Sequence, residues 1–187
     1  MPPARLAVLA SGSGTLLDAI LRDGITVTVV VADRPCRALE VARSHGVPTE
    51  LVERTEWGPE FDRKAYGERL VKVLRGYGVD VVAMAGFGTV VPDLPAAFPG
   101  RVLNSHPSLL PAFKGWHAVR DALDHGVKVT GTTIHIATAE VDEGPILAQE
   151  AVEVLPDDTE ETLHERIKQV ERRLYPATIR RFLEERT

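Results

Sequence analysis

The chain is poor in side-chain amides and sulfur: one asparagine, Asn104, two glutamines, two methionines and one cysteine in 187 residues. Depletion of this set accompanies adaptation to heat, and a GC-rich coding sequence produces the same bias. Cys36 alone cannot close an internal disulfide and supplies no metal-ligand spacing, which fits a reducing compartment. An excess of basic charge is also missing. The 22 Lys and Arg against 27 Asp and Glu leave a net charge of −5, with a pI near 5.7. No global field therefore draws the chain to nucleic acid or an anionic membrane, and an anionic ligand must be held locally. Long hydrophobic runs are absent, so no stretch suits a membrane span, and the opening Met1-Pro2-Pro3-Ala4-Arg5 carries no cleavable signal pattern. The expectation is a cytoplasmic protein with neither nucleic-acid nor membrane partners.

What is present alternates. Residues 6–10, 25–32, 79–85 and 102–104 are short, Val-rich and unbroken apolar runs, as expected of strands buried on both faces. Between them lie helical patterns at 16–22, 37–45 and 59–77, the last with Phe61, Ala65, Leu70, Val73 and Leu74 roughly on one face. This order predicts right-handed βαβ crossovers and a doubly wound, mostly parallel α/β sheet. Beyond residue 128 the pattern changes to two β-rich runs, 129–136 and 146–154, read as an antiparallel or mixed sheet edge. Thr159-Glu160-Glu161-Thr162 reads as a capped helix start, with a break expected near Pro176. Leu109-Leu110-Pro111 reads as loop punctuation that admits a cis bond. Residues 1–187 are most simply one domain, since domains commonly run to roughly 100–200 residues.

In open α/β sheets, ligands bind beyond the carboxyl ends of the strands. That rule gathers three loops: Ser11-Gly12-Ser13-Gly14-Thr15, Gly86-Phe87-Gly88, and residues 104–115. In the first, glycines let the backbone approach an anion and the following helix start aims its N–H groups at it, so phosphate is the natural ligand. A tight turn alone explains the same residues. Leu17 stands where a dinucleotide fingerprint needs its third glycine, and no Gly-Lys-Ser/Thr completes a P-loop.

Asn104 and His106 follow the apolar run Arg101-Val102-Leu103 at i and i+2. A neutral His can take a proton, and an Asn amide can donate to a carbonyl oxygen that turns negative, which suggests acyl-group chemistry without a covalent nucleophile. A carboxylate usually orients the imidazole, and Asp142 in Val141-Asp142-Glu143-Gly144-Pro145 is the candidate. Strand-end Asn and His also satisfy local backbone groups, so composition alone leaves that reading open.

The stretch from Asn104-Ser-His-Pro-Ser-Leu-Leu-Pro through Lys114-Gly-Trp-His-Ala-Val-Arg-Asp-Ala-Leu, with Val129-Thr-Gly-Thr-Thr-Ile-His135 and Val141-Asp-Glu-Gly-Pro-Ile, closely resembles the formyltransferase family that uses 10-formyltetrahydrofolate. The similarity runs from Leu6 to about Pro176. It implies the doubly wound fold, a 10-formyltetrahydrofolate cosubstrate, glycinamide ribonucleotide as acceptor, no metal, and a monomer or homodimer. Asn104, His106 and Asp142 match the family's catalytic trio: Asn104 donates to the formyl oxygen, His106 stabilises the oxyanion and shuttles a proton, and Asp142 holds His106 and a bridging water. Gly14, Thr15 and Leu16 match the loop that grips the ribonucleotide phosphate, and Lys168, Gln169, Val170 and Glu171 match its ribose and amine side. Gly88, Thr89, Val90 and Val91, with Thr138, Ala139, Glu140, Val141 and Asp142, match the slot for the pterin, which Asn104 also faces. Arg63 matches a basic residue near the donor's carboxylate tail.

Two positions depart from the family pattern. Its phosphate loop commonly ends in Ser-Asn where Thr15-Leu16 stands here, leaving backbone N–H donors. An Arg is common where Thr89 stands. His117 and His135 match positions near the site, as supporting or as chemical groups. A zinc set of His106, His117, His135 and Asp142 has no short ligand pair to anchor it. Formyltetrahydrofolate hydrolase shares the trio with water as acceptor, but Gly115-Trp116-His117 is closer to the transferases. Methionyl-tRNA formyltransferase needs an RNA-binding domain that the charge does not supply. A non-catalytic nucleotide-binding module would leave the trio unexplained.

Overall fold

The computed structural model describes residues 3–186; Met1 and Pro2, which belong to the opening run discussed above, and Thr187 lie outside the described residues. Seven strands form one sheet in the order β3-β2-β1-β4-β5-β6-β7. They are β1 (Leu6–Ala10), β2 (Val27–Ala32), β3 (Thr49–Leu51), β4 (Val81–Met84), β5 (Val102–His106), β6 (Val129–Ile136) and β7 (Ile146–Glu153). The pairs among β1 to β5 are parallel, whereas β6 runs antiparallel to β5 and β7 to β6. This is the predicted doubly wound, mostly parallel sheet with its antiparallel edge.

The unbroken apolar strands reflect burial on both faces. Along β1, Leu6, Val8 and Ala10 pack with α1 (Thr15–Arg22), α2 (Arg37–Ser44) and α6 (Glu160–Glu184). Ala7 and Leu9 point the other way, onto α3 (Arg63–Gly76) and α4 (Leu94–Ala97). A strand turns successive side chains to opposite faces, so each layer of helices needs its own apolar set and the sequence shows no alternation. A smaller cluster of Val119, Val152, Leu163 and Ile167 fastens α5 (Ala118–His125) to α6 and β7.

Several boundaries differ from the sequence reading. Strand β5 continues through His106, because β6 supplies an antiparallel partner for residues 103–106. Helix α3 starts at Arg63, four residues later than its apolar pattern suggests, where the Asp62 carboxylate accepts the Ala65 N–H at 2.9 Å. β3 and α4, three and four residues long, are too short to show a periodicity, and α5, with Ala118, Val119 and Ala122 buried on one face, is missing from the sequence reading. No break occurs at Pro176: α6 runs through it, led by a capping box between Thr159 and Thr162. A helical Pro costs about 3 kcal/mol. Here Tyr175, Ile179 and Phe182 sink into the core beneath the sheet, and that burial outweighs the missing N–H. The Leu110–Pro111 peptide is cis.

The chain leaves β1 towards β2 on one side and leaves β4 towards β5 on the other, so the switch point lies between β1 and β4. The loops after those strands touch there, with the Ser11 N–H donating to Gly86 O at 3.2 Å.

Candidate active site

Above the carboxyl ends of β1, β4 and β5 opens a cavity of about 480 Å³. Asn104 and His106 leave β5 on the same side because they are two residues apart, and both line it. His106 is 5% exposed. Its Nε2 donates to the Phe113 carbonyl at 2.8 Å, while its Nδ1 lies 3.4 Å from Asp142 Oδ2. An imidazole flanked by a carbonyl and a carboxylate has an acceptor for an N–H on each side, an arrangement suited to carrying and releasing a proton.

Asp142 stands in the loop between β6 and β7 with φ 58°, a left-handed conformation that Asp tolerates better than most residues. Its Oδ2 accepts the Gly115 N–H at 2.9 Å, and its Oδ1 lies 3.5 Å from His135 Nε2. Burial alone would raise this carboxyl; the Gly115 N–H and the charge of His106 work against burial, and Asp142 is held below the usual carboxylate range. Lys114 and Glu143 pair across the same two loops.

The turn that delivers Asp142 depends on Gly144. A Cβ there would meet the Ile136 carbonyl oxygen at 1.7 Å, a backbone atom that cannot step aside. We expect Gly144→Ala to destabilise the fold by about 1–3 kcal/mol, the usual scale for overpacking. A urea-denaturation midpoint equal to that of the unsubstituted chain would contradict the fit.

Around this centre, Gly14, Thr15 and Leu16 also line the cavity. Gly14 takes φ 76° at the cap of α1, and a Cβ there would come within 2.8 Å of Ala38 Cα, so the tight approach of loop and α2 requires glycine. Leu16 also packs against the core, which accounts for an apolar residue at this loop end. The first turn of α1 leaves backbone N–H groups without a partner inside the helix, the kind of donor an anion at a helix start takes.

Lys168 and Glu171 line the same cavity, but Gln169 and Val170 do not. The helical rotation of about 100° per residue explains the correction: Gln169 is exposed, and Val170 packs on the cluster with Leu163 and Ile167. His164 and Arg172 line the cavity instead, and sequence reasoning missed both. Counting four residues back from Lys168 and four forward would have found them. Burial and the neighbouring Lys168 lower the basicity of His164.

Glu171 is 9% exposed and accepts a hydrogen bond from Ser105 Oγ at 2.7 Å. Burial pushes its carboxyl above the ordinary value, only partly offset by Ser105, Lys168 and Thr132. A carboxyl raised in the native state binds protons there that the unfolded chain has lost, so it favours folding at low pH and the benefit fades as pH rises. The Tm of Glu171→Gln relative to the unsubstituted chain should therefore rise between about pH 4 and pH 8 in thermal melts. A difference that is flat or falls with pH would contradict this.

Gly88, Thr89, Val90 and Val91 also line the cavity, as do residues 138–142. Thr89 is 3% exposed and donates to Asp33 Oδ2 at 2.6 Å, while Arg34 pairs with the same carboxylate. Ser11 Oγ accepts the Gly88 N–H at 2.6 Å. The position of the family's Arg is thus taken by a short buried donor that braces the wall from behind. Arg63 is also outside the cavity: its guanidinium donates to the Val90 carbonyl at 3.2 Å and supports that wall. Trp116 reaches the cavity with 69% of its surface exposed, whereas His117 is exposed at the start of α5 and does not line it. Among the described residues, no group of three or more His, Cys, Asp or Glu is arranged to hold a metal ion.

A doubly wound α/β sheet with Asn, His and Asp converging at its carboxyl edge, beside the glycine-rich start of α1, is the frame of a group-transfer enzyme. The chain belongs to the formyl transferase family, whose model matches residues 4–179. It is 46% identical over 183 residues to the phosphoribosylglycinamide formyltransferase of Mycobacterium tuberculosis, covering 95% of this chain and 84% of that protein. It is 35% identical to the enzyme of the same name from Bacillus subtilis, covering 96% and 94%. Among solved structures, glycinamide ribonucleotide transformylase 1 from Symbiobacterium toebii superposes with a TM-score of 0.91 at 48% identity, over 98% of this chain and 89% of that one.

Proposed function

We propose that this chain moves a formyl group from 10-formyltetrahydrofolate to the amine of 5-phosphoribosylglycinamide, giving formylglycinamide ribonucleotide and tetrahydrofolate, a step of purine biosynthesis. The observation that carries the reading is one cavity lined at once by the glycine-rich loop and first turn of α1, by residues 88–91 and 138–142, and by Asn104, His106 and Asp142. A ribonucleotide phosphate suits the first turn of α1, with Lys168 and Glu171 facing the ribose and amine. A flat pterin suits the slot between residues 88–91 and 138–142.

The acceptor amine attacks the formyl carbon, the bond from that carbon to the folate nitrogen breaks, and the proton lost by the amine is delivered to the departing nitrogen. Asn104 Nδ2 offers an N–H to the formyl oxygen as negative charge develops on it. His106 carries the proton between the two nitrogens, and Asp142 holds the ring and stabilises its charged form. The deep shared cavity holds both substrates at once, so transfer is direct, in a ternary complex. Residues 1–187 act as one formyltransferase domain in the cytoplasm, as a monomer or homodimer; among the described residues no helix is long and apolar enough to cross a membrane.

Mass spectrometry of a reaction containing both substrates should detect formylglycinamide ribonucleotide. Donor consumption that leaves the ribonucleotide unformylated would contradict the proposal.

A further inference from the structure

His135 stands directly opposite Asn104 in the antiparallel ladder between β5 and β6, and is 1% exposed. Its Nδ1 lies 3.1 Å from the Ile136 carbonyl, which can only accept, so Nδ1 carries a hydrogen. Its Nε2 faces two groups: Asn104 Nδ2 at 3.2 Å and, farther off, Asp142 Oδ1 at 3.5 Å. The two demands are exclusive. An unprotonated Nε2 takes a hydrogen from the Asn104 amide. A protonated Nε2 would instead answer Asp142, meet the amide donor head-on, and force the amide to turn its oxygen inward. The shorter contact is the one to Asn104, and a separation of 3.5 Å is long for a hydrogen bond.

We propose that His135, neutral and protonated on Nδ1, is a positioning residue that fixes which end of the Asn104 amide is the donor. One hydrogen of Nδ2 is held by His135 Nε2, and the second is left for the cavity that Asn104 lines. Removing the acceptor at 135 lets the amide turn over, so that its oxygen can stand where the formyl oxygen needs a donor. Asn104 Oδ1 makes no hydrogen bond to a described residue that would hold the amide in place of His135. The inference rests on the formyl-transfer reading of the cavity for its kinetic consequence, though not for its geometry.

The sequence makes the test direct, because Asn104 is the only asparagine. Labelling the full chain with 15N-asparagine yields one side-chain NH2 pair in an NMR spectrum. In the unsubstituted protein its two hydrogens should be well separated in shift, with a coupling across the hydrogen bond to an imidazole nitrogen that is unprotonated. In His135→Ala the separation should collapse and kcat should fall about tenfold, the scale of one neutral hydrogen bond, with KM for both substrates unchanged. His135→Gln, whose side-chain oxygen can accept the same N–H, should restore the separation and most of kcat. It also carries the test if the alanine variant does not fold. An unmoved Asn104 pair in His135→Ala, or a fall in KM-independent turnover that His135→Gln does not repair, would overturn the proposal. Absence of ribonucleotide-dependent turnover in the unsubstituted protein would overturn the functional reading instead, and the NH2 pair would still decide the geometry.

Discussion

Replacing Asp142 with Asn lowers turnover by about 10²–10⁴, the usual scale for losing a positioned acid or base, and leaves ribonucleotide affinity nearly unchanged. The size follows from where the carboxylate sits. Its Oδ2 is shared between the Gly115 N–H at 2.9 Å and His106 Nδ1 at 3.4 Å, so the same atom anchors the loop and faces the imidazole. An amide in that place keeps the volume and can keep the Gly115 contact through its oxygen. It cannot compensate a positive charge on His106, which is the part of the cycle where the proton is in transit. The cavity lining proposed to take the ribonucleotide, at Gly14, Lys168 and Glu171, is untouched, so binding measured by calorimetry should persist. Near-normal kcat in steady-state assays would remove Asp142 from the mechanism.

Asn104→Ala lowers kcat by about 10²–10³, the range for deleting one donor to a developing oxyanion. The amide is held in place from both directions. β5 fixes its backbone between β4 and β6, and His135 occupies one of its N–H groups. A donor aimed in advance needs no reorganisation as the carbonyl becomes tetrahedral, and this is why its loss falls on kcat more than on KM. A variant whose kcat stays within a few-fold of the unsubstituted enzyme in initial-rate kinetics would show that another group bears the charge.

The fold was largely readable because its signals are local. Val-rich unbroken runs mark β1, β2 and β4, and the helices between them follow from the order alone. What escaped depends on partners far along the chain. β5 reaches His106 only because β6, a distant segment, pairs with it, and α6 passes Pro176 because Tyr175, Ile179 and Phe182 are buried. Asn104 and His106 pair by their spacing and Asp142 is a candidate partner on chemistry alone, but only the motif resemblance ties it to them, since nothing in spacing announces that residues 38 apart meet. Side-chain direction was the weakest part of the reading. Gln169, Val170 and Arg63 lie off the cavity, whereas His164 and Arg172 line it, because a matched segment does not say which face of its helix looks inward. The Thr in place of Arg at 89 makes sense only once Asp33 is seen buried behind it, held by Arg34 and Ser11 below the usual carboxylate range despite its burial.

The central claim is that the formyl group goes from folate to a ribonucleotide amine in one shared cavity. Absorbance-monitored release of the deformylated folate, run with and without glycinamide ribonucleotide, tests it most directly. The account predicts release only when the ribonucleotide is present, in step with formation of its formyl derivative. Equal release in its absence would make water the acceptor and contradict the transferase.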